Sequence, residues 1–381
     1  MKLALVTETY PPEVNGVAMT LARLAKGLAL RGHEVEVIRP RQKGEASPVT
    51  LASLSPQVAE YVVPGVAIPS YTSLRMGLPV RGRLIRRWRE VRPDVVHVAT
   101  EGPLGLAALS AARRLGLPVT SSFHTNFHAY GGHYGLELLK GLALRYLRWF
   151  HNRTSCTLVP TAGGARQLAE EGFRGVGVLA RGVDTTLFHP QKRSEQLRAT
   201  WGAAATDPVA IYVGRIAAEK NLGLAVQAFA ALQRVVPDAR FVLVGDGPER
   251  AVLARRHPEF IWAGVRRGDE LAAHYASADL FIFPSVTETF GNVVTEAMAS
   301  GLVVVAFDYA SAREHLRDGN NGYTVPLPDP GGFVAKVGEV AADRGAWPGI
   351  RSRARETTLE ITWDAVIDRF AAQLEVSRTK P

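Results

Sequence analysis

Two glutamates, Glu288 and Glu296, stand eight positions apart in SVTETFGNVVTEAMASG, on either side of the turn Phe290-Gly291-Asn292-Val293. The run before them, ADLFIFP, is as apolar as a buried strand. Ser285 to Gly291 then reads as its outgoing loop and Asn292 to Ser300 as a helix closed by Gly301. Glu296 falls about 6 Å along that helix from Asn292, at roughly 1.5 Å per residue. Amides at the start of a helix meet phosphate oxygens, and carboxylates accept hydrogen bonds from hydroxyl groups. The stretch therefore suits a sugar attached to a diphosphate. The plain alternative is a surface acid at Glu288 and a glutamate at Glu296 that only favours its helix dipole.

A second cluster lies in GRIAAEKNLGLAVQAF, where Gly214 ends the strand-like run PVAIYVG and Arg215 and Lys220 follow it. In open α/β sheets, ligands bind beyond the carboxyl ends of the strands. Two cations there, next to a helix N-terminus, suit a diphosphate, although solvated loop charges would look the same. Near the start, ETYPPEVNGVAMTLARL places Gly16 in a loop before a helix; the segment is not the G-x-G-x-x-G dinucleotide fingerprint. His124 ends the strand-like LPVTSSFH. With His128 and His133 it sits in a glycine-rich stretch without cysteines or acids at zinc spacing, so no metal site is expected.

These residues require a scaffold of parallel strands. KLALVTE, HEVEVIRP, DVVHVAT, LPVTSSFH and CTLVPT read as strands in the first half, and PVAIYVG, ARFVLVG, FIWAG, DLFIFP and LVVVAF in the second. Amphipathic segments such as MTLARLAKGLALRGH and GLAVQAFAALQRVVP separate them. The alternation implies an α/β protein of two doubly wound, Rossmann-like parallel-sheet domains. The polar stretch from His189 to Pro208 lacks a strand pattern and marks the boundary. The expected division is residues 1–190, residues 191–361, and a C-terminal helix over residues 362–381.

Composition narrows the class further. The 381 residues are 46% hydrophobic, enough for two cores, yet no run approaches the roughly 18 apolar residues of a membrane span. MKLALVTETYPP reads as a first core strand, because Glu8 interrupts the apolar run and no small-residue cleavage site follows. Cys156, the single cysteine, has no internal disulfide partner and suits a reducing cytoplasm. Residues 1–190 carry 23 Lys and Arg against 13 Asp and Glu, net +10, whereas the remainder has 22 against 23, net −1. The basic first half points to an anionic partner.

ETFGNVVTE, VGRIAAEKN, VGDGPE and EAMASG, together with TETYPPEVNGV, SSFHTNF and RGVDTTLFHP, resemble family 4 of the retaining glycosyltransferases over nearly the whole chain. The resemblance implies the GT-B fold, with two Rossmann-like domains facing across a cleft and a C-terminal helix crossing back to the first. It implies a nucleoside diphosphate sugar as substrate, with no other cofactor. Arg215 and Lys220 match the pair that binds the donor's diphosphate and stabilises it as a leaving group. Glu296 matches the glutamate that bonds the ribose, and Glu288 the one that contacts the transferred sugar. Phe290, Gly291, Asn292 and Val293 match the loop that offers backbone amides. Gly16 matches the loop that reaches the diphosphate from the N-terminal side, and His124 the histidine beside the reacting sugar carbon. The implied reaction moves a hexose to an acceptor hydroxyl with retention, by same-face attack. The sequence holds no Asp-x-Asp, the arrangement that would bring a divalent cation to the diphosphate, so no metal is expected.

For the acceptor, residues 75–92, RMGLPVRGRLIRRWREVR, hold seven arginines and one acid around Leu84, Ile85, Trp88 and Val91 at helical spacing. Such a helix can lie on an anionic bilayer, with Arg83, Arg86, Arg87 and Trp88 as docking candidates, or can pack its apolar face on the sheet. LRYLRWFHNR, residues 144–153, extends the basic and aromatic character. FHTNF and RGVD most resemble a lipid-glycosylating subgroup that includes phosphatidylinositol mannosyltransferases, diacylglycerol-linked mannosyltransferases using GDP-mannose, and sulfoquinovosyl diacylglycerol synthases. The expectation is a cytoplasmic enzyme, peripheral on the inner face of the plasma membrane, with GDP-mannose favoured over a UDP-sugar and a lipid or glycolipid as acceptor. A soluble or polysaccharide acceptor, and a sugar-nucleotide 2-epimerase of the same fold, are the alternatives. Many members of the family carry Asn-Gly-Val-Asp where this chain has Arg181-Gly182-Val183-Asp184. Nucleic acid is not an expected partner, because the arginine-rich run has one aromatic residue and no binding motif.

Overall fold

The computed structural model describes residues 1–13, 15–42, 45, 58–68, 71–124 and 137–379. The chain forms two compact units, Met1–Arg181 with Trp363–Pro381, and Gly182–Thr362.

The first unit is built on a fully parallel sheet of β1 (Lys2–Val6), β2 (Glu34–Pro40), β3 (Val58–Val63), β6 (Val95–Val98), β7 (Val119–Ser122), β8 (Cys156–Val159) and β9 (Val176–Val178), in the order β3-β2-β1-β6-β7-β8-β9. Strands β4 (Gly65–Ile68) and β5 (Tyr71–Gly77) pair antiparallel beside it. Central strands such as VVHV are buried along their whole length, as expected for a sheet covered on both faces. Helix α1 (Gly16–Leu30) starts where Asn15 Oδ1 accepts the Val17 and Ala18 amides at 3.1 and 2.8 Å. The last helix, α14 (Trp363–Thr379), packs Val366, Ile367, Phe370 and Leu374 against Leu21, Leu24 and Leu28 of α1. Arg31 fixes that docking by binding Asp364 and Asp368 at 2.9 and 2.6 Å.

The second unit repeats the plan with β10 (Val209–Val213), β11 (Arg240–Val244), β12 (Ile261–Gly264), β13 (Leu280–Phe283), β14 (Val303–Phe307) and β15 (Tyr323–Val325), in the order β12-β11-β10-β13-β14-β15. All its pairings are parallel, and the order reverses between β10 and β13. That reversal is the switch point at which α/β sheets open a crevice beyond their carboxyl ends.

The first break in the chain falls at 181/182 rather than 190/191. The Val183 amide bonds the Ile361 carbonyl at 2.9 Å, and Phe188 sits in the second unit's core. The polar stretch after it is also folded into this unit. Pro190–Lys192 forms a 3₁₀ turn and α6 (Glu195–Thr200) a short helix. Arg198, fully buried, binds Asp279 Oδ2 at 3.0 Å and the carbonyls of Ser277 and Asp207 at 2.7 and 2.6 Å. Charge in that segment does not mark a linker, because a guanidinium paired with a carboxylate and backbone carbonyls can be buried. Strands β3, β9 and β15 and the β4–β5 pair were not in the sequence reading; β9 and β15 have three residues each, too few to show an alternation.

The expected basic helix over residues 75–92 is shorter. Residues 75–77 belong to β5, and the helix, α2, runs Arg81–Val91. Most of its apolar stripe faces the protein: Leu84 and Trp88 are 0% and 1% exposed, packed with Val6, Val96 and Leu104, while Val91 at the helix end is 38% exposed. Arg87 binds Glu36 and stacks 4.5 Å over the Tyr61 ring. Trp88 and Arg87 are thus corrected from membrane-docking candidates to core and pairing residues, while Arg83 and Arg86 stay exposed. We expect Trp88→Ala to lower unfolding stability by about 3–5 kcal/mol. Urea unfolding checks this, and an unchanged midpoint would place the indole outside the core.

Candidate active site

In the second unit, the loops after β10 and β13 are neighbours because their strands pair directly. Gly214 and Ile216 tie the first of these loops to the one after β11: their amides bond the Val244 and Asp246 carbonyls, both at 3.0 Å. The backbones lie so close that a Cβ on Gly245 would sit 1.9 Å from the Gly214 carbonyl oxygen. This explains the first glycine of VGDGPE as a packing requirement. Tyr212 donates to the Arg215 carbonyl at 3.0 Å, and burial raises the phenol's pKa, so it remains a donor.

Lys220 closes a 3₁₀ turn, Ala218–Lys220, and its Nζ lies 2.5 Å from Glu288 Oε1. Both side chains are 16% exposed. Ser285 donates to the same carboxylate oxygen at 2.7 Å, and the Tyr309 hydroxyl holds the Glu288 carbonyl at 3.0 Å. Thr287 bonds the Glu219 carbonyl at 2.9 Å, stitching the two loops together. Arg215, 57% exposed, is steered by Glu219 at 2.6 Å.

Helix α10 (Asn292–Ala299) begins at Gly291, whose φ of +87° is left-handed and favours glycine. Among the described residues, no side chain caps this helix. Ser311 braces the turn instead, donating its amide to the Phe290 carbonyl at 2.8 Å and its hydroxyl to the Gly291 carbonyl at 2.7 Å. Phe290 is buried with its ring 5.9 Å from His315, so only its backbone is available to a ligand. Val293 and Asn292 occupy the first turn, half-buried. Glu296, one turn further, accepts a hydrogen bond from Tyr275 at 3.1 Å. Burial, then the Glu296 charge, holds the Tyr275 phenol well above its usual range. The second unit therefore gathers Arg215, Lys220, Glu288, the 290–293 turn and Glu296 around the switch point of its own sheet.

The first unit gathers Gly16 and His124 around Arg181. A Cβ built on Gly16 would lie 3.2 Å from the Arg181 guanidinium, and His124, Arg181, Thr20 and Ser122 line one small cavity. His124 follows β7, and both its ring nitrogens are shielded from solvent. Burial, reinforced by the Arg181 charge, lowers its pKa to about 3. Behind it, His97 bonds Thr120 and Ser122 at 2.8 and 2.9 Å, and Ser121 bonds His151 at 2.9 Å. Burial puts both of these histidines at about 3 as well. His124 is thus neutral at pH 7 and suited to hydrogen bonding rather than to carrying charge. His128 and His133 lie outside the described residues. Among the described residues no group of three His, Cys, Asp or Glu is placed to hold a metal.

Residues 14–187 match the model described as Glycosyltransferase Family 4, and residues 207–343 the model described as Glycosyl transferases group 1. A GDP-mannose-dependent alpha-mannosyltransferase of Mycolicibacterium smegmatis is 36% identical over 379 residues, 98% of this chain and 97% of the relative. The chain belongs to glycosyltransferase family 4. Other relatives of this family member include an alpha-monoglucosyldiacylglycerol synthase of Acholeplasma laidlawii, 30% identical over 84% of each chain. The sulfoquinovosyl transferase SQD2 of Arabidopsis thaliana is 32% identical over 79% of this chain and 60% of that protein. HepE of Anabaena, solved with UDP and glucose, shares the fold at TM-score 0.75 with 20% identity, over 99% of this chain and 100% of that one. Family and fold agree: the protein is a GT-B hexosyltransferase that draws on a nucleotide sugar.

The sequence names the candidate site residues that the structure brings together, but not the groups that hold them. Ser285, Tyr275, Tyr309 and Ser311 come from loops and helices with no pattern of their own, while Arg181 was visible only as a departure from Asn-Gly-Val-Asp.

We expect Lys220→Ala to reduce turnover at least about 100-fold, the scale of losing one transition-state donor. It should also lower stability by about 1–3 kcal/mol, because Glu288 loses its partner. Lys220→Met combined with Glu288→Gln should recover the stability but not the turnover. Near-wild-type rates with Lys220→Ala would remove the assignment.

The buried histidines also set a pH dependence. Their folded pKa values lie below the ordinary 6.5, so their contribution is complete above pH 6.5 and is lost as pH falls toward 3. Glu8 acts oppositely, since burial raises it to about 7 and its contribution is lost as pH rises through that value. His274 and His315 are lowered by burial as well, so the histidines outnumber Glu8 and the melting temperature should rise from pH 5 to pH 6.5, with each histidine adding at most about 1.4 kcal/mol per pH unit. Glu8→Gln should steepen the rise.

Proposed function

We propose that this enzyme transfers mannose from GDP-mannose to a hydroxyl of a membrane lipid or glycolipid, with retention and without a metal ion. The observation that carries the donor is the near full-length similarity, at 36%, 34% and 31% identity, to three relatives named as GDP-mannose-dependent alpha-mannosyltransferases. Arg215 and Lys220 would neutralise the diphosphate, the uncapped start of α10 would bond its oxygens, and Glu288 and Glu296 would accept from sugar and ribose hydroxyls. On this reading the diphosphate draws Lys220 off Glu288 and frees the carboxylate for the sugar. Gly16 and His124 are the first unit's contribution to transfer.

A lipid acceptor is supported by the diacylglycerol-linked name of one relative and by the surface of the first unit. Arg81, Arg83, Arg86 and Arg89 project from α2, and among the described residues no helix is long and apolar enough to cross a membrane. Peripheral attachment to the inner face of the plasma membrane follows from an anionic bilayer meeting these arginines.

Thermal shifts with GDP-mannose, UDP-glucose and GDP alone test the donor, since a ligand bound only to the folded state raises the transition with its occupancy. GDP-mannose should give the largest shift and UDP-glucose little. The reverse order would replace the proposed donor. Flotation with phosphatidylglycerol vesicles at rising salt tests the surface, and binding that ignores lipid charge would overturn its electrostatic part.

A further inference from the structure

The first unit has a second concavity, apart from the one that holds His124 and Arg181. It is a groove of about 560 Å³ between the start of α2, helix α3 (Pro103–Arg114) and helix α4 (Glu137–His151). Its walls are mainly apolar, from Pro79, Pro103, Leu106, Ala107 and Tyr146, with Arg81 and Glu101 at its polar edge. Tyr146 donates to the Glu101 carbonyl at 2.6 Å, which holds the ring as one wall. This volume falls within the ordinary range of small-molecule sites, whose linings are mostly apolar with a few polar groups.

The groove continues onto an exposed apolar face. Trp149, 43% exposed, stacks on Tyr146 with ring centroids 6.1 Å apart, and Leu142, one turn before Tyr146, is 54% exposed. Arginines surround this face: Arg145 is exposed on the same helix, Arg153 lies 4.2 Å over the Trp149 ring, and Arg113 bonds the Arg153 carbonyl. An apolar channel that opens onto tryptophan and tyrosine inside a rim of arginines is complementary to an amphiphile with a hydrocarbon tail and an anionic neighbourhood. A soluble sugar acceptor would leave these walls exposed to water.

We propose that this groove takes one hydrocarbon chain of the membrane lipid that serves as acceptor. The inference rests on the lipid-acceptor reading above and adds a site to it. The chain enters past Tyr146 and Trp149 and lies along Leu106 and Ala107, and the arginine rim meets the headgroups of surrounding anionic lipids. Chain length then becomes a specificity determinant, because each methylene placed in the groove leaves water.

The test uses the full chain with phosphatidylglycerol vesicles containing a diacylglycerol that bears a diazirine near the middle of one acyl chain. After irradiation, cross-linked peptides are mapped, and transfer of radiolabelled mannose from GDP-mannose to lipid is measured in the same vesicles. Cross-links are expected within residues 79–81, 101–110 and 142–149. Ser110→Trp, which fills the groove from α3, should cut their yield at least fivefold. Cross-links confined to other segments, or a yield indifferent to a folded Ser110→Trp protein, overturn the inference. Where that variant does not fold, the wild-type map decides alone. Lipid mannosylation without groove cross-links would leave the lipid-acceptor reading standing and remove the groove. Groove cross-links without transfer would show a groove that binds a lipid chain but would overturn its role for the acceptor together with that reading, and the loss of both would overturn both.

Discussion

The candidate donor site depends on the direct pairing of β10 with β13. The two strands lie some 70 residues apart in sequence, yet Ala210 stands opposite Leu280 and Ile211 opposite Phe281. Their carboxyl ends therefore release two loops side by side, one bearing Arg215 and Lys220, the other Glu288 and the start of α10. Asp279 secures the opposite end: its carboxylate accepts the Val209 amide at 2.9 Å and binds Arg198 and Arg351 at 3.0 and 3.1 Å. Such a buried carboxylate is tolerable only because it is so fully paired. It sits just ahead of β13 and holds the starts of both strands in register.

Charge in the site is balanced before any substrate arrives. Lys220 and Glu288 neutralise one another, and Arg215 is held by Glu219. An arriving diphosphate would have to compete with these carboxylates for the two cations, whose backbone positions are already set by the contacts between the loops. The first unit follows the opposite rule. His97, His124 and His151 are kept neutral by burial, so the buried histidines of this unit carry no charge at pH 7. The cation beside His124 is Arg181.

The basic character of the first half divides in the same way between interior and surface. An amphipathic helix with arginines on one side and Leu84 and Trp88 on the other has one pattern whether it meets a bilayer or its own sheet. The sheet beneath α2 takes that face, leaving Arg81, Arg83, Arg86 and Arg89 outward. Helix α4 differs: Phe150 and Leu147 turn inward, while Leu142, Tyr146 and Trp149 stay exposed. Burial, rather than composition, separates the two helices.

The sequence by itself determined the fold class and the strands of both sheets that are buried on two faces, and it singled out Arg215, Lys220, Glu288 and Glu296 as candidates, because apolar runs, glycine turns and motif spacing are local properties. It also placed Glu296 one turn into its helix, since helical rise is fixed. Only the tertiary structure decided that Lys220 meets Glu288, that Tyr275, Tyr309, Ser285 and Ser311 brace the site, and that Gly16 and His124 converge on Arg181. It also moved the first domain boundary to 181/182 and put Trp88 in the core. These outcomes turn on which distant segments share a strand edge or a buried face. Hydrophobic periodicity shows that a residue needs a partner, but the partner is chosen by chain topology, which no local pattern contains.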